Sequence, residues 1–153
     1  IGLRDTYYLQ YINCNTLISR HISLNEKEWD THVSFTPLFL SLSPSYKYLV
    51  VATDTHYHYI YPLGTSKQIR KLTGHSSGNY GRPRICWDIT GCYLYSNSET
   101  DYNIYIYEIC TEKVIKELIT GHTGAVRDMA VDSQGYLASV SFDHSLRVFG
   151  ERE

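Results

Sequence analysis

A repeat marked by histidine is the feature that most limits what this chain can fold into. His32, His75 and His122 stand 43 and 47 residues apart, and the last two follow glycine directly. Behind each comes the same order of events: an apolar run, a polar turn, a second run, and a third run ending in an aromatic residue. A turn residue stands six positions before that aromatic, as Asp143 before Phe149, Asp101 before Tyr107, and Thr55 before Tyr61. At the start of the chain Asp5 holds the same distance from Tyr11. A lone Gly-His carries no information, but registered copies at a period in the forties mark a structural repeat.

The runs are short, alternate in polarity and are punctuated by Gly, Ser, Asn, Asp and Pro, with almost no helical periodicity. That pattern predicts an all-β chain. Tyrosine numbers 15 against 4 phenylalanines, and tyrosine suits the half-buried surface of a strand. The last unit predicts strands over 126–131, 136–141 and 145–149, with a turn at 132–135. The unit before it predicts strands over 84–87, 92–98, around 104–107, and 113–118. In the third strands, Leu146 and Val148, Ile104 and Ile106, and His58 and Ile60 share one face. Arg147 and Phe149, Tyr105 and Tyr107, and Tyr59 and Tyr61 share the other. Counting back to the start gives two, four, four and three strands in units spanning 1–27, 28–70, 71–118 and 119–153.

On these residues the chain resembles the WD40-repeat family, strongly from Lys71 to Gly150 and more loosely before that. The resemblance implies a β-propeller of four-stranded antiparallel blades around a central channel, typically seven to a ring. About three to three and a half blades are too few to close such a ring. The expectation is therefore a partial propeller, closed by missing upstream sequence or by another chain. The resemblance also implies, in each blade, a structural tetrad of the Gly-His histidine, a second-strand Ser or Thr, the turn Asp and a third-strand Trp. In the last unit these fall on His122, Ser139 or Ser141, Asp143 and Phe149, with Ser141 assigned. In the middle unit they fall on His75, Ser96 or Ser98, Asp101 and Tyr107, with Ser98 assigned. Phenylalanine lacks the indole donor, whereas Tyr107 can donate through its hydroxyl.

His-Asp-Ser invites comparison with a catalytic triad. Repetition argues against it, since a nucleophile is one strained and exposed residue whereas repeated sets are scaffolding. No enzyme and no cofactor are expected, and the function implied by the resemblance is a non-catalytic scaffold binding other proteins in a multiprotein complex. Substrate-receptor duty in a ubiquitin-ligase assembly is a narrower version. Some family members place an Arg three residues after the aromatic, as Arg152 stands here, although Gly150 replaces the family's Asp. A propeller-borne enzyme and an RNA-binding module are the competing classes.

A formal charge of −2 gives no reason to expect nucleic-acid or anionic-membrane binding. No apolar stretch approaches the roughly 18 residues of a membrane helix, and the opening residues lack signal-peptide layout. The four cysteines form no CxxC and no zinc spacing, which fits an intracellular protein, cytoplasmic or nuclear. His56 and His58 fall on one strand face, yet no third metal ligand lies near them. Cys86 and Cys92 are expected on adjacent strands as an inert buried pair.

Two places suggest partner contact. The loop 76–84 carries Tyr80, Arg82 and Arg84, residue types enriched at interface hot spots. In the family resembled, the residue before the turn Asp faces the rim that partners use. Arg4, Asp54, Thr100 and Phe142 hold that position, with Arg127 beside Phe142. An exposed phenylalanine is costly unless covered. The alternative is that Phe142 packs on a neighbouring blade.

Overall fold

The computed structural model describes residues 8–25, 35–74 and 81–150. Thirteen strands form four antiparallel sheets among these residues. The first sheet pairs β1 (Tyr8–Ile12) with β2 (Ser19–Ser23). The second runs in chain order through β3 (Pro37–Leu42), β4 (Tyr48–Thr53), β5 (His58–Pro62) and β6 (Arg70–Leu72). The third holds β7 (Ile85–Trp87), β8 (Tyr93–Asn97), β9 (Ile104–Glu108) and β10 (Lys113–Leu118). The fourth holds β11 (Val126–Val131), β12 (Leu137–Ser141) and β13 (Leu146–Phe149). The chain is thus all-β and built as blades, two of them complete with four strands.

The turns between first and second strands show how the sequence sets the hairpins. Asp132 accepts hydrogen bonds from the N–H groups of Gln134 and Tyr136, and Gly135 follows with φ of 90°. Asp88 does the same for Thr90 and Tyr93, with Gly91 at φ 76°. A short acceptor side chain closes the loop, and glycine takes the left-handed position at no steric cost.

Blades pack face to face, and the core lies between them rather than within any one sheet. Val50, Ala52, Ile60 and Leu72 of the second sheet meet Ile85, Trp87, Leu94 and Tyr107 of the third. Ile104 of the third meets Val126, Met129 and Leu137 of the fourth. The first strands β3, β7 and β11 run side by side along the inner edge. Polar fasteners cross the same interfaces: Trp87 Nε1 donates to the Ser41 carbonyl at 3.3 Å, and Asn97 Nδ2 to the Val126 carbonyl at 3.0 Å.

Two expectations need correction here. β6 carries the second sheet to Leu72, which is buried opposite His58, so the boundary drawn after residue 70 cuts a strand. In the first sheet, Leu9 and Tyr11 face the following blade, against Leu49, Val51 and Tyr61. Tyr61 and Tyr107 instead face the preceding blade, so Tyr11 does not hold the equivalent place. A one-residue offset turns a strand over, because side chains alternate with a period of two. An open cleft of about 610 Å³ lies between these sheets, lined by Leu9, Tyr11, Leu40, Leu42, Leu49 and Leu63 among others.

Candidate functional site

The best-defined polar site is built in the last unit from a loop, a strand and a turn. Thr120 starts it: its hydroxyl donates to the Tyr102 carbonyl at 2.8 Å and accepts the His122 N–H at 3.0 Å. Gly121 between them has φ of 70°, and a Cβ there would lie 2.8 Å from the Arg147 guanidinium. The glycine of the Gly-His pair is thus called for by its backbone conformation, whereas the guanidinium ends a flexible side chain that can move aside. The loop delivers the His122 ring, whose Nδ1 lies 2.9 Å from Asp143 Oδ2 and Nε2 2.9 Å from Ser139 Oγ. A carboxylate can only accept, so the ring proton sits on Nδ1 and Nε2 accepts the Ser139 hydroxyl. Asp143 also takes the Thr123 N–H at 3.0 Å, the Ser145 N–H at 2.9 Å and the Ser145 hydroxyl at 2.6 Å.

Ser139, not Ser141, therefore meets the histidine. The Ser141 hydroxyl donates to the Gly124 carbonyl at 2.7 Å and accepts the Asp143 N–H at 3.2 Å, which ties the turn to the incoming loop. Ser145 had not been singled out, although a serine two residues beyond a turn Asp is a usual local partner. Phe149 packs against the cluster between third and fourth sheets.

The Ser145 hydroxyl, with burial opposing it and His122 and two backbone N–H groups assisting, holds the Asp143 carboxyl well below the usual carboxylate range. A carboxyl lowered in the folded state contributes stability that is full above its unfolded pKa of about 3.9 and is lost as pH falls towards the folded value. Urea unfolding of the protein and of Asp143→Asn should thus give a constant stability difference from pH 7 to about pH 5. The difference should shrink steadily below about pH 4. A difference independent of pH down to unfolding would remove the carboxylate from this role.

The middle unit is wired differently from its assignment. His75 lies outside the described residues. Ser96, not Ser98, bonds a histidine, and that histidine is His58 of the preceding blade, with Nε2 2.9 Å from Ser96 Oγ. Both are fully buried, and the His58 ring meets Tyr107 edge-on at 6.1 Å. The Ser98 hydroxyl lies 3.2 Å from that of Thr100. Asp101 takes the Tyr105 hydroxyl at 2.8 Å and the Asn103 N–H at 3.1 Å. Burial and Asp101 push the Tyr105 hydroxyl up to about 12. In the second sheet Thr53 and Thr55 bond each other at 2.7 Å in place of a carboxylate network.

The rim residues separate into two groups. Phe142 is 63 % exposed, and the Arg127 guanidinium lies over its ring at 4.3 Å. Its own blade supplies this cover, so packing against a neighbouring blade is not what the described residues show. Arg84 turns inward, with its guanidinium 4.9 Å from the Phe39 ring and Nε 4.0 Å from Asp128, while Arg82 and Thr100 stay exposed. Tyr80 and Arg152 lie outside the described residues.

Residues 112–150 match the family model described as WD domain, G-beta repeat. That stretch runs from β10 through β13 and includes Thr120, His122, Ser139, Asp143 and Ser145. The solved structure of U3-55K superposes with a TM-score of 0.64 at 18 % identity, over 77 % of this chain and 37 % of that one. The last unit is a WD40 repeat. The DDB1- and CUL4-associated factor 13 of Danio rerio is 29 % identical over 91 residues, which are 59 % of this chain and 20 % of that protein. The chain therefore spans about a fifth of that relative and just over a third of the solved one.

Within the WD40 frame the remaining candidates lose their chemistry. His56 lies exposed in a turn while His58 is buried on Ser96, so they share no metal site. No cluster of three metal-ligating side chains occurs among the described residues. Cys86 pairs across to Tyr95, whereas Cys92 is exposed in the preceding turn, so they form no buried pair. Burial, with Asp128 adding to it, pushes the Cys86 thiol up to about 12 and keeps it protonated at neutral pH. No described helix is long and apolar enough to cross a membrane.

Proposed function

We propose that this chain is a non-catalytic platform that holds another protein at the rim where the turns between second and third strands emerge. The observation that carries this reading is Phe142, exposed at 63 % with Arg127 stacked on it at 4.3 Å. The turn beneath is fixed by Ser141, Asp143 and Ser145, so a docking partner meets a surface that needs little ordering. Aromatic and arginine side chains are the types that dominate interface energetics. A catalytic reading has little support, because Ser139 is 1 % exposed and its hydroxyl is committed to His122. The four free cysteines fit a reducing compartment, cytoplasmic or nuclear.

A neighbouring blade belongs to the same proposal. Val140, Leu146 and Val148 are 37, 63 and 60 % exposed, whereas the matching Ala52, His58 and Ile60 are buried under the next blade. A further blade, from the same polypeptide or another chain, covers that face and completes the platform.

The test is affinity purification of the full-length protein with Phe142→Ala, Arg127→Ala and Arg82→Ala. The first two should lower recovery of a bound partner at least tenfold, the loss of a hot spot of about 2 kcal/mol, with unfolding midpoints unchanged. An unaltered partner set for both would remove this surface. A second reading rests on the zebrafish relative, which is named for association with DDB1 and CUL4. The same association for this protein would be read by co-purification of those two proteins.

A further inference from the structure

Arg127 owes its position to a break in the strand ladder. β11 and β12 pair Val126 with Ser141 and then Asp128 with Val140, so Arg127 is the extra residue of a β-bulge. A bulge releases one residue from pairing and re-aims its side chain. Here it lays the guanidinium over the Phe142 ring, 4.3 Å from the ring centre.

The same fold shows what completes such a stack. Leu40, Ile85 and Met129 pair with Val51, Ser96 and Ser139. The residues just before them, Phe39, Arg84 and Asp128, therefore hold equivalent places beside one another on three successive blades. Arg84 lies between the other two, with the Phe39 ring centre 4.9 Å from its guanidinium and the Asp128 carboxylate 4.0 Å from its Nε. Arg127 has the ring but no carboxylate. It is half-buried, yet among the described residues it forms no ion pair and its N–H groups meet no acceptor. The acids beside it are engaged. Asp128 pairs with Arg84 and takes the Met129 N–H at 3.0 Å, while Asp143 is bound by Thr123, Ser145 and His122.

Taking the docking role proposed for the Phe142 rim as given, we infer that this rim receives an acidic segment of a protein partner. One Asp or Glu carboxylate of that segment seats on Arg127, and an apolar neighbour of the acid covers Phe142. A carboxylate takes the edge of a guanidinium through two parallel N–H···O bonds. Stacking on the ring already holds the planar fork, so little ordering is needed when the acid arrives. A single guanidinium balances the single charge of a carboxylate. A phosphate carries nearly two charges and is held by clusters of arginines. Here the exposed Asp128, next in the chain to Arg127, would repel it.

The test selects random peptides displayed on phage against the full-length protein, with Arg127→Ala as the counter-selection. Enriched peptides should carry Asp or Glu next to an apolar residue. Synthetic versions should bind about tenfold more weakly once that acid becomes Asn or Gln, a change that leaves the protein untouched. With the acid intact they should lose a similar factor on Arg127→Ala, whose melting temperature should match the parent's. Peptides that need Phe142 and Arg127 but no acid would overturn the inference and leave the docking rim standing. Binding indifferent to both Phe142→Ala and Arg127→Ala would remove the rim as well. Enrichment no greater than on Arg127→Ala would overturn the inference. So would tighter binding of a phosphoserine version than of the acid, or displacement of the peptide by single-stranded RNA.

Discussion

Replacing Tyr107 with alanine should lower the unfolding free energy by about 3–5 kcal/mol, the usual cost of emptying an aromatic from a sealed core. Tyr107 is fully buried and packs with Val50, Ala52, Ile60 and Leu72 of the preceding blade. The sheets on either side are held by their own hydrogen bonds, so they cannot collapse far to fill the space. A loss of that size is a large part of the 5–15 kcal/mol that stabilises an ordinary domain. Phe142→Ala, on the exposed rim, should change stability by no more than about 0.5 kcal/mol. Urea midpoints of the two variants of the full-length protein make the comparison. A cost below about 1 kcal/mol for Tyr107→Ala would mean that second and third blades do not share a packed interface there.

The blade order was legible because strand alternation and turn chemistry are both local. Asp132 with Gly135 and Asp88 with Gly91 announce hairpins within a few residues, and the strands between them follow. Choices two residues apart were not legible. Ser139 and Ser141 stand on the same strand face, and which one meets His122 depends on how far the loop from Thr120 carries the ring across β12. The face of β1 was missed for a related reason: six-residue spacing from Asp5 to Tyr11 fixes a count but not the side on which the strand enters the sheet. Contacts between blades left the weakest trace. His58 and Ser96 lie 38 residues apart, and no period of strand or repeat predicts their meeting. The one signal was a histidine standing where the sister units have Ile104 and Leu146.

That histidine yields the second large effect. His58→Leu restores the apolar residue type of the sister units, yet it leaves the Ser96 hydroxyl inside a sealed interface. Its other contact, the Asn97 carbonyl at 3.5 Å, is too long to compensate. Leaving a buried hydroxyl without a good partner costs about 1–3 kcal/mol, so the single variant should be destabilised by that amount. Ser96→Ala should cost a similar amount by removing the group that Nε2 bonds at 2.9 Å. The double variant removes both polar groups together, and replacing both partners by apolar groups can be nearly neutral. The cycle should therefore be non-additive, with the double variant more stable than the sum of the singles predicts by about 1–2 kcal/mol. Strict additivity within about 0.3 kcal/mol would show that the two residues do not couple the blades. The same cycle on Asp101 and Tyr105, which bond at 2.8 Å within a single blade, should leave the contact between blades untouched. A comparison of the two cycles thus measures how much of the polar wiring joins neighbouring blades and how much only shapes a turn.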